Sequence, residues 1–370
     1  MRSLFLTLSS LRYLPHNSSI ISVHGDQNII FHSLSTGSLS RQFIGYNDEI
    51  VDVSYLSYKP STDTPLQRDS HIALATNSSL IRIYSIKDLD ARLLEGHSEI
   101  VLALDCGANG SLLASGSKDR TARIWAPSVT GDESTSWGYG CVGICEGHAE
   151  SVGAVAMARG GDDSPKFMFT GSQDRTIKMW DVSELPIQFD DSQTVIRCKS
   201  LTTHKAHEKD INALDVAPND RFLVSGSQDR TAKVYEIHYH NTGSGGSVRG
   251  ELKLIGTCKG HKRGVWSVRF GRAERILATG SGDKSVKLWS LDDFSCLKTF
   301  EGHTNSVLRV DFLNNGLQLV SSASDGLVKL WNIKDEECIT TLDNHEDKVC
   351  FLFVFYSYLS GPELFIEPFV

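Results

Sequence analysis

The sequence is poor in proline, has no clustered cysteines and contains no long apolar run, and each shortage excludes a class of protein. Its 370 residues include 9 Pro against 31 Gly, a balance that favours frequent tight turns over disorder. The eight cysteines form no CxxC pair and no zinc-ligand spacing. We therefore expect free thiols in a reduced intracellular protein, with no disulfide and no metal. No apolar run of about 18 residues occurs, which argues against a membrane-spanning helix and a membrane partner.

Basic residues are outnumbered, since 37 Lys and Arg face 45 Asp and Glu, for a net charge of −8. A protein that binds nucleic acid along its surface usually has a basic domain or stripe. We therefore expect any association with RNA to be indirect or weak, although a local basic patch would still allow direct contact.

Internal repetition is the strongest positive signal. Five segments each contain a His, a hydroxyl residue, an Asp four residues after the hydroxyl and an aromatic residue six residues after the Asp. The His-to-Asp spacing is 22 residues in four segments and 26 in the other. The five sets are His97, Ser115, Asp119 and Trp125; His148, Thr170, Asp174 and Trp180; His207, Ser225, Asp229 and Tyr235; His261, Thr279, Asp283 and Trp289; and His303, Ser321, Asp325 and Trp331.

Between these anchors the chain has short β-rich stretches bounded by turn residues, about four per repeat, which is typical of a propeller blade. Two degenerate repeats precede the five, with His32 in an aromatic position and Ser78 in an Asp position. We therefore predict an all-β propeller of about seven four-stranded blades over residues 1–345. The predicted blades span about 3–45, 50–94, 98–146, 151–203, 209–259, 263–301 and 305–342.

The segments at the two ends of the predicted ring match the repeat pattern poorly. The first two repeats lack some of the anchoring residues, and residues 346–370 form an aberrant apolar tail that only begins a further repeat. Because a blade is stabilised by neighbours on both sides, we expect the ring to close imperfectly.

The four repeated residue types have complementary hydrogen-bonding roles: the indole donates to the hydroxyl, the hydroxyl to the imidazole, and the imidazole to the carboxylate. Ser, His and Asp also resemble a hydrolase triad. However, catalysis needs one site and this set recurs five times, and no G-x-S-x-G motif is present. We interpret each set as a structural tetrad, and we expect no catalytic residue, no cofactor and no small-molecule substrate.

This pattern resembles that of the WD-repeat family, and the resemblance covers nearly all of residues 1–345. Members of that family are interaction platforms, so the resemblance implies binding rather than chemistry. It also implies that the Gly-His turns and the Asp turns lie on one rim of the ring. The residue before each Asp is then a candidate partner contact; these are Lys118, Gln173, Gln228, Gly282 and Ser324.

A closer resemblance is carried by Gly45–Val53, Leu94–Asp105 and Gly260–Trp289. These segments are similar to the transducin-β-like WD-repeat subunits of the small-subunit processome. That family has two tandem propellers and a helical C-terminal domain, and it works in the UTP-B subcomplex with the U-three small nucleolar RNP in the nucleolus. The resemblance implies a non-catalytic scaffold for pre-rRNA processing with other WD-repeat subunits as partners. Against that family, this chain is expected to be a shortened form.

Two other functions stay open on the sequence. A substrate receptor of a ubiquitin ligase often carries Arg two residues after a Trp-Asp pair, whereas Trp180-Asp181 is followed by Val182 and Ser183, and no F-box-like segment precedes the repeats. A Gβ-like signalling scaffold would need an N-terminal coiled-coil helix for its partner, and the sequence shows none.

Overall fold

The structure is a computed structural model of the chain. It describes the backbone of four short strands between residues 11 and 43, and residues 50–58, 67–86, 90–107, 110–128, 137–159, 165–190, 192, 194–241, 248–271, 275–313 and 316–343. Within these residues the regular structure is almost entirely β, with no α-helix. In particular, no helix in the described part is long and apolar enough to cross a membrane.

Six consecutive sheets form the described body of the protein, and we name each blade by its first strand. The β5 blade contains β5 (Ile50–Tyr58), β6 (Gln67–Thr76), β7 (Ile81–Ser85) and β8 (Ala91–Leu94). The β9 blade contains β9 (Val101–Cys106), β10 (Leu113–Ser117), β11 (Ala122–Pro127) and β12 (Tyr139–Cys145). The β13 blade contains β13 (Val152–Met157), β14 (Phe167–Ser172), β15 (Thr176–Asp181) and β17 (Lys199–Lys205).

The remaining three blades follow the same antiparallel order. The β18 blade contains β18 (Ile211–Val216), β19 (Phe222–Ser227), β20 (Thr231–His240) and β21 (Arg249–Lys259). The β22 blade contains β22 (Val265–Phe270), β23 (Ile276–Ser281), β24 (Ser285–Ser290) and β25 (Cys296–Glu301). The β26 blade contains β26 (Val307–Leu313), β27 (Gln318–Ala323), β28 (Val328–Asn332) and β29 (Cys338–Leu342).

Neighbouring blades pack through their innermost strands, β5 to β9, β9 to β13, and onward to β26. Each of the five junctions encloses an apolar cluster drawn from both blades. At the junction of the β22 and β26 blades, for example, Phe300 and Val307 pack with Trp331. Burial of such side chains against the next blade stabilises a propeller, since a single four-stranded sheet has too little core of its own.

The blade count differs from the prediction: the structure packs six blades in series where the sequence predicts seven. The segment predicted as the first blade forms a four-stranded antiparallel sheet of β1 (Leu11–Leu14), β2 (Ser19–Val23), β3 (Ile29–Ser33) and β4 (Leu39–Phe43). Its side chains lie outside the described residues, as do residues 1–10 and the predicted tail over 346–370. The degenerate sequence of the first repeat, without Trp or a Gly-His pair, is consistent with this difference.

One strand is not predicted from the sequence. Strand β16 (Ile196–Arg197) leaves the β13 blade and pairs in parallel with β12 on the outer edge of the β9 blade. The amide of Cys198 extends this pairing by donating to the carbonyl of Ile144 at 2.8 Å. An exposed strand edge invites association with other chains, and this returning segment covers one.

Candidate interaction face and its tetrads

The structure brings the residues of each predicted tetrad together at one end of its blade. In the β9 blade, His97 Nδ1 lies 2.8 Å from Asp119 Oδ2, and His97 Nε2 lies 2.8 Å from Ser115 Oγ. The indole of Trp125 donates to the same Ser115 oxygen at 2.8 Å. Since a carboxylate only accepts, Nδ1 carries the proton and Nε2 accepts from the Ser115 hydroxyl. The chain of hydrogen bonds thus runs Trp, Ser, His, Asp.

The same geometry recurs in three more blades. His148 bonds Asp174 at 2.8 Å and Thr170 at 2.7 Å, and Trp180 donates to Thr170 at 2.8 Å. In the β22 blade, His261 bonds Asp283 at 2.9 Å and Thr279 at 2.7 Å, and Trp289 donates to Thr279 at 2.8 Å. In the β26 blade, His303 bonds Asp325 at 3.0 Å and Ser321 at 2.8 Å, and Trp331 donates to Ser321 at 2.7 Å.

The β18 blade has a hydrogen-bonded chain of three residues instead of four. His207 bonds Asp229 at 2.8 Å and Ser225 at 2.7 Å. Tyr235 fills the aromatic position, but its buried hydroxyl has no hydrogen-bond partner among the described residues. A phenol places its donor farther along the side chain than an indole does, so it does not reproduce the bond of the other blades.

Four of the five tetrads have a further arm that the sequence analysis does not identify. A hydroxyl two residues after the Asp donates to its second oxygen, with Thr121 reaching Asp119 at 2.7 Å and Ser285 reaching Asp283 at 2.6 Å. The signal was present in the sequence, since Thr or Ser stands at this position in four of the five repeats; these are Thr121, Thr176, Thr231 and Ser285.

Hydrogen bonding controls the charge state of the tetrad carboxylates. Burial alone raises the pKa of Asp174, but the bonds from His148 and Thr176 outweigh it and hold that pKa well below its usual value. The same balance holds at the other four tetrad carboxylates. Burial raises their pKa, and hydrogen bonds outweigh burial and lower it; the four are Asp119, Asp229, Asp283 and Asp325. The carboxylates are therefore ionised at neutral pH, and hydrogen bonds within their own blades engage them.

In each of these five blades the turn that carries the His meets the turn that carries the Asp, and we call these paired turns the entry rim. The backbone amide of each candidate contact residue donates to the start of its innermost strand, for instance Gly282 to the carbonyl of Gly264 at 2.9 Å. Lys118 and Gln173 are exposed, Gln228 and Ser324 are half-buried, and Gly282 is buried. The first four present side chains on the rim, whereas Gly282 offers only backbone.

The residue after each tetrad Asp is also held on the entry rim. Arg120, Arg175, Arg230 and Lys284 have positive φ angles, between 69° and 74°, a conformation that is unfavourable for side chains with a Cβ. All four side chains are exposed. The fifth repeat has Gly326 at this position.

Charged residues also line the inner ends of the blades, and we call this set the inner belt: Asp52, Asp105, Arg159, Asp215, Arg269, Arg309 and Asp311. Arg159 lies 3.0 Å from Asp105 and 3.6 Å from Asp215. Arg269 lies 3.0 Å from Asp215 and 3.7 Å from Asp311. Each contact crosses between blades, so the belt joins blades rather than closing one blade on itself.

No group of three or more His, Cys, Asp or Glu side chains in the described part could hold a metal ion. The cysteines described by the structure are free. His238, which the sequence places near His240 in an inserted hairpin, lies 3.5 Å from Glu236.

Comparison with known proteins gives the family. The family described as "WD domain, G-beta repeat" matches residues 90–126, 139–181, 198–236, 252–290 and 294–332, which together make up more than half of the chain. Transducin beta-like protein 3 from Mus musculus is 42% identical over 254 residues, covering 68% of this chain and 28% of that protein.

Two further relatives carry informative names. U3 small nucleolar RNA-associated protein 13 from Saccharomyces cerevisiae is 39% identical over 207 residues, covering 53% of this chain and 23% of that protein. The Ribosome biogenesis protein WDR12 homolog from Drosophila persimilis is 28% identical over 188 residues, covering 50% of this chain and 40% of that protein. The chain spans less than a third of the transducin-like and yeast relatives it matches.

Proposed function

Because the chain belongs to the WD-repeat family, we propose that it is a non-catalytic protein-interaction scaffold in ribosome biogenesis, and specifically in small-subunit processome assembly and pre-rRNA processing. The observation that carries the proposal is its similarity to a yeast protein named for association with U3 small nucleolar RNA and to Transducin beta-like protein 3. We propose other WD-repeat subunits of a pre-ribosomal complex as partners, and the nucleolus as the location.

The use of the polar residues supports a scaffold over an enzyme. The hydroxyl, His and Asp side chains that could suggest hydrolysis form hydrogen-bonded tetrads with Trp inside four separate blades. The histidine side chains in these tetrads are almost fully buried.

The two alternatives gain no support from the described residues. The position where a ubiquitin-ligase receptor often carries Arg is Ser183, whose hydroxyl donates to Asp181 at 2.7 Å. No coiled-coil helix for a Gβ-type partner is present in the described part of the chain.

The proposal is tested by affinity purification of the tagged chain beside a tagged full-length relative. Microscopy gives the location, mass spectrometry the proteins, and reverse transcription the recovered RNA. Half of each sample is treated with ribonuclease before washing. We expect nucleolar signal and recovery of small-subunit precursors, with WD-repeat proteins retained after ribonuclease because protein contacts hold the assembly.

Each outcome has a definite meaning. A full-length relative that stays cytoplasmic and recovers no small-subunit precursors contradicts the processome role. Loss of every co-purified protein after ribonuclease treatment contradicts the proposal that protein contacts hold the chain in a pre-ribosomal complex. If the relative succeeds and only this chain fails, the role belongs to parts of the relative that this chain does not match.

A further inference from the structure

The entry rim is uneven in charge, and one blade stands apart. Around the start of the β22 blade lie four exposed basic residues: Lys259 at the end of β21, Lys262 and Arg263 in the turn before β22, and Lys284 in the turn before β24. One exposed acid, Glu301 at the end of β25, lies opposite Ser285 beside them. Elsewhere on the rim, basic residues alternate with the acids Glu95, Glu99, Glu146, Glu150, Glu208 and Asp210.

None of these four basic side chains is used inside the molecule. No hydrogen bond or ion pair is made by their side-chain nitrogens to the described residues, whereas Lys233 and Lys178 nearby both find oxygen partners. Four like charges on one small surface repel each other and raise the free energy of the unbound state. A bound acidic group would relieve that repulsion.

The same blade holds a tryptophan that no tetrad uses. Trp125, Trp180, Trp289 and Trp331 are nearly fully buried and donate to tetrad hydroxyls. Trp266 is half-buried on the innermost strand β22, and its indole N–H makes no hydrogen bond to the described residues. The corresponding positions in the other blades hold Leu102, Gly153, Asn212 and Leu308.

Gly282 keeps this indole accessible from the rim. A Cβ at position 282 would lie 3.1 Å from Trp266 Nε1, 3.4 Å from Arg263 Cβ and 3.6 Å from Ser306 Oγ. The equivalent positions in three other blades carry Lys118, Gln173 and Gln228. A side chain of that length here would cover the indole nitrogen. Glycine therefore leaves a recess whose nearest polar atom is the N–H donor of Trp266, with Ser306 Oγ beside it.

From these two independent features we propose that the rim of the β22 blade, centred on Trp266 and Arg263, is a docking site for a short acidic segment of a partner protein. This deepens the proposed scaffold function and rests on it. Carboxylates accept hydrogen bonds, so one would take the Trp266 N–H while others pair with the surrounding ammonium and guanidinium groups. Trp and Arg are also the residues that most often dominate protein interfaces.

An acidic peptide suits the site better than RNA does. The basic surface is short, running from Lys259 at the end of β21 to Lys284 before β24, and the acids Glu208, Asp210 and Glu301 lie on the same rim. A nucleic-acid strand, with regularly spaced phosphates, would extend onto these acids, whereas a few Asp or Glu residues would not. Single-stranded RNA also binds by stacking bases on an aromatic face, while the atom of Trp266 nearest the recess is its edge nitrogen.

The test uses the full chain with two labelled probes, an octaglutamate peptide and an eight-nucleotide oligouridine RNA. Binding is measured by fluorescence anisotropy at low and moderate salt. We expect the peptide to bind more tightly than the RNA, with affinity that falls as salt rises. The charge reversal Lys262→Glu/Arg263→Glu should weaken peptide binding by about tenfold or more. Trp266→Phe, which removes only the N–H, should weaken it by about three- to tenfold.

Matched variants separate the site from general charge effects. Lys118→Glu/Arg120→Glu makes the same charge change on the β9 blade and should leave peptide binding unchanged. Gly282→Gln installs the side chain of two other blades, keeps every charge, and should weaken binding by about tenfold because it covers the indole nitrogen. Thermal unfolding of each variant confirms that it folds.

The inference is overturned if the β22-blade variants bind the peptide as the wild type does, if the β9-blade variant loses as much, or if no peptide binding is seen. Tighter RNA binding with the same residue dependence would make the site a nucleic-acid contact instead. Recovery of pre-ribosomal particles without peptide binding overturns this inference alone. Peptide binding without such particles overturns only the proposed function.

Discussion

Arg309 lies 3.6 Å from Asp52, and this ion pair connects the innermost strand of the β26 blade with that of the β5 blade. The last and first blades of the described series therefore reach toward the same central space. Asp52 also accepts a hydrogen bond from the amide of Leu104 in the next blade, at 2.8 Å. Asp105 and Asp215 likewise accept hydrogen bonds from backbone amides in the next blade, those of Met157 and Phe270. The inner belt thus bonds each of these blades to its successor.

Arg159 should be the most sensitive member of this belt. Its guanidinium donates to Asp105 and to the carbonyl of Cys106, at 3.0 and 2.8 Å, and faces Asp215. The two carboxylates are nearly fully buried, with 6% and 7% of their side chains exposed. Arg159→Ala would leave them without this countercharge, and we expect a loss of about 3–5 kcal/mol in the free energy of unfolding.

Denaturant titration gives the comparison. Arg309→Ala is the comparison variant because its ion pair with Asp52 is longer, at 3.6 Å, and a smaller loss of about 1–2 kcal/mol is expected. Equal losses for the two variants would show that the belt does not act through the contacts of Arg159.

Removing a tetrad residue should lower stability. Asp283→Ala removes the acceptor of four donors, namely His261 Nδ1–H, the amide of Lys262, and the amide and hydroxyl of Ser285. We expect about 1–3 kcal/mol of destabilisation for Asp283→Ala and for His261→Ala. The double variant should cost less than the sum, because both changes break the same bond. Unchanged denaturation midpoints in both single variants would reject the structural role.

The same carboxylates predict a loss of stability in acid. The folded-state pKa of Asp283 is lowered, while burial opposes the shift. The unfolded chain therefore takes up a proton first, near its ordinary pKa of about 3.9. The stabilisation is complete above that pH and is lost progressively as the pH falls toward the folded-state pKa, by at most about 1.4 kcal/mol per pH unit for each carboxylate.

Unfolding free energy measured from pH 6 downward checks this. Asp283→Asn should show a shallower decline below about pH 4 than the wild type. Asp292→Asn is the control, since Asp292 is an exposed residue in a surface ion pair with Arg275. Parallel curves for wild type and Asp283→Asn would contradict the prediction.

Contacts inside each blade could be predicted from the sequence, and contacts between blades could not. The tetrads follow from spacing, because the same turn geometry demands the same residues at the same separations. Asp105 and Arg159 are 54 residues apart, a spacing that Asp215 and Arg269 repeat. Only the packing angle between two blades brings them together, and no sequence period records that angle.

The aromatic position of the β18 blade shows a limit of pattern matching. Tyr235 satisfies the spacing, yet its hydroxyl is left buried without a described partner because the pattern records only that the residue is aromatic. Gly282 illustrates the reverse. As a candidate contact it has no side chain to contribute, but in three dimensions the missing side chain leaves space beside Trp266.

Two glycines on outer strands leave room for aromatic rings that pack against those strands. A Cβ on Gly256 would overlap the ring of Phe294 in the β22 blade, and one on Gly140 would overlap the ring of Phe189 in the segment that follows β15. Each ring must move if the glycine becomes alanine. We expect Gly256→Ala and Gly140→Ala each to cost about 1–3 kcal/mol in denaturant titration. Gly153→Ala is the control, because its Cβ would make only ordinary contact with the Ile211 carbonyl at 3.6 Å. That variant should be neutral or slightly stabilising, since alanine restricts the unfolded chain. Equal effects at all three positions would mean that the rings do not depend on the missing side chains.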